Sequence, residues 1–368
     1  MFTLIATTTF GIEAITAKEL KKLGYDDLKI DNGKVTFEGD ELDIAICNTW
    51  LRTADRILIS LGEFKAETFE DLFQGTKAIN WANIIPSNGK IHVVGKSIKS
   101  KLYSVPDCQS IVKKAIVESM KSSYKVEWFP EDGPTYKVEI GLLKDIATLT
   151  LDTTGPGLHK RGYREFAGAA PLKETLAAAL VLVSDWSAEN TLVDPFCGSG
   201  TILIEACLIA QNIAPGLNRR FVCEDWPIMD PDNFEQVRSS ARNSIKTSPL
   251  KFLGYDVDDK VLRVARQNAE KAGISKYIEF HRMDFNNFSS KKPYCYVITN
   301  PPYGERIGDE ESVINLYKKL GELKQHMPSW KLYILTSYNN FEKVFGKKAD
   351  KNRKLYNGKI QCYYYQYL

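Results

Sequence analysis

The sequence predicts an α/β protein whose C-terminal half is built on a mainly parallel sheet with an antiparallel hairpin at its edge. From Pro171 onward, apolar stretches of strand length alternate with amphipathic stretches of helix length, which is typical of a parallel sheet covered by helices on both faces. The chain ends on two apolar segments joined by Asn357-Gly358, a strong signal for a tight hairpin. The N-terminal half predicts two smaller α+β units.

The first unit is expected to cover residues 1–56. Residues Phe2-Thr8 predict a strand, and the apolar spacing after it predicts a helix that ends at Gly24. Asn32-Gly33 lies between two short apolar runs and predicts a hairpin. The second unit is placed at residues 57–155, where the pattern predicts strands Ile57-Leu61, Ile91-Gly95, Lys137-Ile140 and Ile146-Leu151, and helices Phe69-Ile79 and Ser110-Met120.

Gly155-Pro156-Gly157 opens a linker that we place at residues 156–170, and the domain with the parallel sheet follows at 171–368. Its predicted strands are Thr191-Val193, Phe252-Tyr255, Tyr277-His281, 295–299 and Lys331-Leu335, and its predicted helices are Leu172-Val183, Thr201-Ala210, Lys260-Ala272 and Val313-Met327. Residues 212–249 break the alternation and are interpreted as an insertion that is helical around Phe234-Ile245.

Composition excludes several classes of function. The net charge of +3 in 368 residues is too small to indicate nucleic-acid binding by itself. The seven cysteines form no Cys-x-x-Cys pair, so neither a metal site nor a disulfide framework is expected. The first residues lack the basic start of a signal peptide, and no apolar run reaches the ~18 residues that span a bilayer. We therefore expect a cytoplasmic protein without a membrane partner.

A rigid loop follows one predicted strand of the C-terminal domain: Asn300, Pro301, Pro302 and Tyr303 come directly after residues 295–299. The prolines fix two φ angles, so the Asn300 side chain and the Pro301 carbonyl can converge as acceptors for a planar NH2 group. Tyr303 can offer a flat face for a nucleobase. A plain turn after a strand is the alternative interpretation.

Polar and glycine residues also follow the other strands of this domain. The first strand runs into Asp194, Pro195, Phe196, Cys197, Gly198, Ser199, Gly200 and Thr201, where the glycines allow a tight turn before a helix N-terminus. Asp256 and Val257 end the second strand, and Asp284 and Phe285 end the third. Each aspartate alone is most often a helix cap. Together they predict an adenosine cofactor across the carboxyl edge of the sheet, with Asp256 at the ribose and Asp284 near the adenine.

Basic residues in the N-terminal half and the linker are candidate contacts for a nucleic-acid backbone. They are Lys96, Lys99, Lys101, Arg161 and Arg164. A solvated charged surface is the alternative, since most lysine runs have no other role.

These motifs as a set resemble the S-adenosylmethionine-dependent RNA guanine-N2 methyltransferases that carry a THUMP domain, and among them the 23S ribosomal RNA enzymes. The residues that carry the resemblance are 194–201, 254–258, Asp284, 300–306 and 171–180. The resemblance implies a Rossmann-like class I methyltransferase domain preceded by a ferredoxin-like domain (1–56) and a THUMP domain (57–155).

The resemblance also implies a reaction: S-adenosylmethionine is the cofactor, Asn300 to Tyr303 form the catalytic loop, and the N-terminal domains bind folded RNA. Glu305 and Arg306 are expected to hold that loop or contact the base, with a surface ion pair as the alternative, and Lys173 is expected to cover the cofactor. A tRNA guanine, an adenine N6 amine of DNA, or a non-catalytic RNA-binding role are the alternatives. The missing helix-turn-helix and zinc motifs favour RNA over DNA.

Overall fold

The computed structural model describes residues 1–164, 172–247, 249–288, 292–303 and 310–368. Within these residues the chain forms two seven-stranded sheets, one in each half. None of the described helices combines the length and apolar character needed to cross a bilayer.

The first sheet has the strand order β2-β3-β1-β4-β7-β6-β5. Its strands are β1 (Phe2–Thr8), β2 (Lys29–Asp31), β3 (Lys34–Gly39), β4 (Ala54–Lys65), β5 (Lys90–Ile98), β6 (Thr135–Leu143) and β7 (Ile146–Asp152). Its helices are α1 (Glu13–Lys22), α2 (Glu41–Trp50), α3 (Phe69–Lys77) and α4 (Val105–Tyr124). The predicted hairpin at Asn32-Gly33 is present, and Gly33 has the positive φ of 74° that such a turn requires.

The two N-terminal units share this sheet. Strand β4 pairs with β1 on one side and with β7 on the other, so the boundary that we placed after residue 56 falls inside one continuous strand. The apolar side chains of both units accordingly belong to one core. The two N-terminal units are therefore joined through backbone hydrogen bonds and not by a free linker.

The second sheet has the strand order β10-β9-β8-β11-β12-β14-β13. Its strands are β8 (Leu192–Asp194), β9 (Phe252–Asp256), β10 (Ile278–Arg282), β11 (Tyr296–Thr299), β12 (Lys331–Thr336), β13 (Lys351–Asn357) and β14 (Ile360–Tyr367). The helices are α5 (Glu174–Val183), α6 (Thr201–Ala210), α7 (Pro231–Asn243), α8 (Asp259–Lys271), α9 (Glu310–His326) and α10 (Phe341–Phe345). Strands β8 to β12 are parallel, and β13 and β14 form the antiparallel edge hairpin, which confirms the predicted class.

The insertion at residues 212–249 packs against the N-terminal half. Trp226 is 2% exposed, stacks on Tyr136 of β6 with ring centroids 4.9 Å apart, and donates its indole N–H to the Thr135 carbonyl at 3.0 Å. Phe234 and Val237 of α7 join the same core. The insertion therefore covers part of the first sheet and ties the two halves of the chain together.

Candidate active site at the carboxyl edge of the second sheet

The four strand ends that the sequence marked meet at one edge of the sheet. Because β8, β9, β10 and β11 run parallel, their carboxyl ends lie side by side; Asp194 is opposite Gly254, and Arg282 is opposite Asp256. The loops that leave these strands therefore form a continuous surface. In open α/β sheets this edge is where ligands bind.

The glycine turn between β8 and α6 leaves room next to its backbone. Gly198 has a φ of +52°, and a Cβ added there would meet no atom within 4 Å. Gly200 caps α6 with a φ of +81°, and its Cβ would lie 3.0 Å from the Phe280 ring. Gly200 is thus needed for helix packing, whereas Gly198 leaves an open approach for a ligand.

Asp256 holds the glycine turn in place. One carboxylate oxygen accepts the Gly198 N–H at 3.0 Å, and the other accepts the Asp258 N–H at 3.0 Å. The side chain is half-buried, and each carboxylate oxygen can accept more than one hydrogen bond. Asp256 can therefore brace the loop and still accept hydrogen bonds from ribose hydroxyls.

Asp194 lies beneath the loop and joins two strands. Its Oδ1 accepts the Thr299 hydroxyl of β11 at 2.6 Å and the Phe196 N–H at 3.1 Å. The residue is 1% exposed, and this burial raises the pKa of its carboxyl to about 7, with a smaller upward contribution from the nearby Asp256 charge. Thr299 directly precedes Asn300, so this contact couples the glycine turn to the candidate catalytic loop.

Apolar side chains lie where an adenine ring is expected. Val257 is 63% exposed although it is aliphatic, and the rings of Phe196 and Phe285 are 4.9 Å apart. Asp284 is exposed, and one of its carboxylate oxygens accepts the Asn286 N–H at 2.8 Å. The aspartate therefore acts as the helix cap that was its alternative interpretation, while its exposure leaves it open to a ligand.

The loop after β11 is held from two directions. The Tyr317 hydroxyl of α9 donates to the Pro302 carbonyl at 2.8 Å and lies 2.8 Å from the Thr336 hydroxyl. Pro301 is buried, whereas Pro302 is exposed. Tyr317 was not found by sequence reasoning, since its contact with the loop exists only once α9 folds back over the strand end.

Tyr303 lies against Asn300 in a way that the sequence did not suggest. Its hydroxyl donates to the Asn300 amide oxygen, and the Cys362 thiol donates to that hydroxyl at 3.7 Å. Tyr303 is half-buried against the second core, and its burial is the largest cause that raises the pKa of its phenol. The tyrosine therefore orients the Asn300 amide in this structure.

Models of known protein families cover almost the whole chain. Residues 161–366 match the RMKL-like methyltransferase domain, residues 3–58 the RlmL ferredoxin-like domain and residues 66–152 the THUMP domain. The chain belongs to the RMKL-like methyltransferase family.

Two curated relatives of this family align over the whole chain. It is 52% identical to the "Putative RNA methyltransferase YpsC" of Bacillus subtilis, and the alignment covers 100% of this chain and 96% of YpsC. It is 36% identical to the "Ribosomal RNA large subunit methyltransferase K/L" of Vibrio parahaemolyticus, with 99% of this chain covered. This chain spans about half of the latter protein, namely 53%.

Solved structures of similar chains have the same fold. "SMU.472, a putative methyltransferase complexed with SAH" superposes with a TM-score of 0.95 at 45% identity, covering 100% of this chain and 97% of that one. A protein of Listeria monocytogenes described as "a predicted N6-adenine-specific DNA methylase" superposes with a TM-score of 0.94 at 50% identity, covering 100% and 96%. These likenesses confirm the methyltransferase fold.

The two linker arginines of this RMKL-like methyltransferase are buried and do not fit the predicted RNA contact. The Arg161 side chain is 2% exposed and donates to the carbonyls of Leu158 and Arg52. The Arg164 side chain is 9% exposed and donates to the Leu172 carbonyl and the Thr201 hydroxyl. Both guanidiniums are used inside the protein, where they join the linker to the N-terminal half and to α6.

The three predicted RNA-binding lysines are exposed, but two of them have acidic partners. Lys96 pairs with Glu139 at 2.9 Å, and Lys101 pairs with Glu67 at 2.5 Å. Lys99 is exposed, with a φ of 52°. Their role in RNA binding stays a prediction. Lys173 precedes α5 and is half-buried, while Pro171, Glu305 and Arg306 lie outside the described residues.

Proposed function

We propose that this chain is an S-adenosylmethionine-dependent RNA methyltransferase that methylates the exocyclic N2 amine of a guanosine in 23S ribosomal RNA. The observation that carries the proposal is the bond from Thr299 to Asp194. This bond joins the strand that leads into the glycine turn to the strand that leads into the Asn300 loop, which supports a site where a methyl donor and an amine acceptor meet. The names of YpsC and of the K/L enzyme support RNA, and in the second case large-subunit ribosomal RNA, as the substrate.

The residues at the ends of β8 and β9 offer the kinds of group that S-adenosylmethionine needs. Gly198 leaves space at the backbone, Asp256 offers carboxylate oxygens at the second strand end, and Val257 offers an apolar face for the adenine. The SMU.472 structure, at 45% identity, contains SAH. When bound, the cofactor supplies an electrophilic methyl group.

The residues of the loop would activate the amine by accepting hydrogen bonds from its two N–H groups. The guanine amine is a weak nucleophile because its lone pair is delocalised into the ring. Hydrogen bonds from its two N–H groups to the Asn300 amide oxygen and the Pro301 carbonyl favour a pyramidal nitrogen with a more available lone pair. They also stabilise the positive charge that grows on nitrogen in the transition state. Positioning of the two reactants contributes the remaining acceleration.

Tyr303 has two compatible roles in the proposed reaction. Its hydroxyl holds the Asn300 oxygen, which has a second lone pair for the substrate amine. Its ring borders the site and can stack on a guanine that has left its helix. A proton on the methylated nitrogen can pass to water, so no side chain has to act as a strong base.

The identity of the substrate is tested with the purified protein and labelled S-adenosylmethionine. Total RNA from cells that lack the protein is incubated with both, and the labelled nucleoside is identified after digestion. We expect N2-methylguanosine in large-subunit ribosomal RNA. Label in tRNA alone would correct the substrate, whereas label in N6-methyladenine or only in DNA would reject the proposal in favour of the adenine methyltransferases.

The role of the loop is tested by Asn300→Ala. Because the amide acts mainly in the transition state, we expect methyl transfer to fall by about 10²- to 10³-fold while the dissociation constant of the cofactor stays within about tenfold. Asn243→Ala, at an exposed position at the end of α7, is the matched control and should leave both unchanged. An Asn300→Ala protein that turns over normally would refute the proposed chemistry.

A further inference from the structure

The N-terminal half reaches the rim of the candidate active site through the loop between β1 and α1. Arg353 of β13 donates a hydrogen bond to the Gly11 carbonyl at 3.2 Å. A Cβ on Gly11 would lie 2.5 Å from the Lys354 carbonyl oxygen, and Gly11 has a φ of +96°. This loop therefore lies directly against β13, the edge strand of the second sheet, in a contact that only glycine permits.

The hairpin of β13 and β14 extends beyond the carboxyl edge of the sheet, where the candidate site lies. Strand β12 ends at Thr336, which pairs with Tyr363 of β14, so Ile360 to Cys362 extend beyond that end. Leu355 and Tyr356 pair with Cys362 and Gln361, and Cys362 contacts Tyr303 at 3.7 Å. Tyr356 is the next residue of β13 and lies at the same end of the hairpin, with its side chain on the opposite face from Leu355 and Cys362.

An aromatic ledge stands at this position, formed by Phe10 of the N-terminal half and Tyr356 of the hairpin. Their ring centroids are 5.7 Å apart with an interplanar angle of 74°, Phe10 is 45% exposed, and Tyr356 is half-buried. The Lys354 amino group lies 5.5 Å from the Tyr356 ring centroid. An exposed aromatic pair with an adjoining cation offers a base a stacking face and its phosphate a positive charge.

The lysines near the ledge differ from two of the three lysines predicted to bind RNA. Lys354 and Lys359 are exposed, and no carboxylate in the described ranges forms an ion pair with them, whereas Lys96 and Lys101 are paired with acids. Lysine on an edge strand often serves only to prevent sheet pairing. Here the Gly11 loop already covers part of the β13 edge, so unneutralised charge beside exposed rings needs another explanation.

We propose that the Phe10–Tyr356 ledge stacks an unpaired nucleotide that flanks the target guanosine, while the hairpin lysines contact the neighbouring phosphates. The inference rests on the proposed function, since it assumes an RNA whose target base enters the site. It assigns part of the RNA contact to a surface shared by the two halves of the chain. Stacking tolerates every base because each has a π face, so the ledge positions the strand without reading its sequence.

The test compares Tyr356→Ala and Phe10→Ala with the unaltered protein in initial rates against RNA concentration. We expect kcat/KM for RNA to fall about 5- to 150-fold for Tyr356→Ala, the effect of losing one stacked base, with cofactor affinity and thermal unfolding unchanged. Tyr356→Phe keeps the ring and should restore the rate. Trp128→Ala is the control, because Trp128 is 75% exposed but lies in the loop after α4.

A second measurement follows the charges. For Lys354→Ala combined with Lys359→Ala, the dependence of RNA affinity on salt should weaken, with the slope of log K against log [salt] falling in magnitude by about 1 to 1.5 for a single strand. The proposed role of the ledge would be wrong if Tyr356→Ala had normal kinetics with RNA, or if it lost cofactor binding as much as RNA binding. Neither result would contradict the proposed function, as long as the unaltered protein methylated RNA. Absence of RNA methylation by the unaltered protein would instead reject the function itself.

Discussion

Asp194 makes the stability of this protein depend on pH, and Asp194→Asn should remove that dependence. The carboxyl is 1% exposed, and burial raises its pKa to about 7 from its ordinary value of 3.8. A carboxyl whose pKa is raised on folding binds its proton more tightly in the folded state. Its contribution to stability is therefore fully present below pH 4 and is lost as the pH rises through 7.

The size of the effect follows from the two pKa values. Integrating the linkage relation between pH 5 and pH 8 with 3.8 for the unfolded chain and about 7 for the folded one gives a loss of about 2 to 3 kcal/mol. Asparagine imitates the neutral acid, because its amide oxygen can still accept the Thr299 hydroxyl and the Phe196 N–H. The variant should thus lack this loss and gain stability relative to the unaltered protein at pH 8.

The assay is urea unfolding of both proteins at pH 5 and pH 8 without cofactor, followed by fluorescence. Half-buried Glu19 and buried Glu174 also have raised pKa values because of desolvation, but they are present in both proteins and cancel in the difference. Asp26→Asn, at an exposed position, is the control and should behave as the unaltered protein does. Equal pH dependence in the Asp194→Asn and unaltered proteins would show that the buried carboxyl is already ionised at pH 5, against the reasoning.

Two further substitutions test the packing and the loop. Trp226→Ala removes a stacked ring and the bond to the Thr135 carbonyl, and should lower the free energy of unfolding by about 3 to 5 kcal/mol; a calorimetric midpoint close to that of the unaltered protein would contradict the assigned packing. Tyr303→Phe keeps the ring but removes the hydroxyl that donates to Asn300. We expect kcat to fall about tenfold at unchanged cofactor affinity, by analogy with the loss of a hydrogen bond to a charged or reacting group, whereas an unchanged kcat would leave stacking as the only role of Tyr303.

Local signals in the sequence predicted most elements of the fold. Asn32-Gly33 and Asn357-Gly358 predicted both hairpins, because a tight turn depends mainly on its own residues. In the second hairpin Asn357 pairs with Ile360, so the two-residue loop is Gly358-Lys359. Helix α2 (Glu41–Trp50) was not predicted, although its Asp40 forms a capping box with Asp43. Helix α10 (Phe341–Phe345) is only five residues long, too short for a periodic pattern to be read.

Long-range contacts account for the interpretations that changed. Arg161 and Arg164 looked like surface cations beside a linker, yet their partners include Glu205 and Glu174, which are 44 and 10 residues further along the chain. The sequence alone did not indicate where the insertion at 212–249 packs. In the structure, its Trp226 stacks on Tyr136. A side chain's charge or apolar character is visible in the sequence, but the groups that it meets depend on how distant segments pack.

The amino-acid sequence by itself determined the class of the fold and the edge of the sheet at which the candidate site residues lie, since Asp194, Asp256, Asp284 and Asn300 each follow a strand and parallel strands bring their ends together. Only the tertiary structure decided which of these groups stay open to a ligand. Asp194 is enclosed and joined to Thr299, Tyr303 is turned onto Asn300, and a loop of the N-terminal half lies against β13. The burial of a side chain and its hydrogen-bond partners depend on contacts between distant segments, so a local sequence pattern does not reveal them.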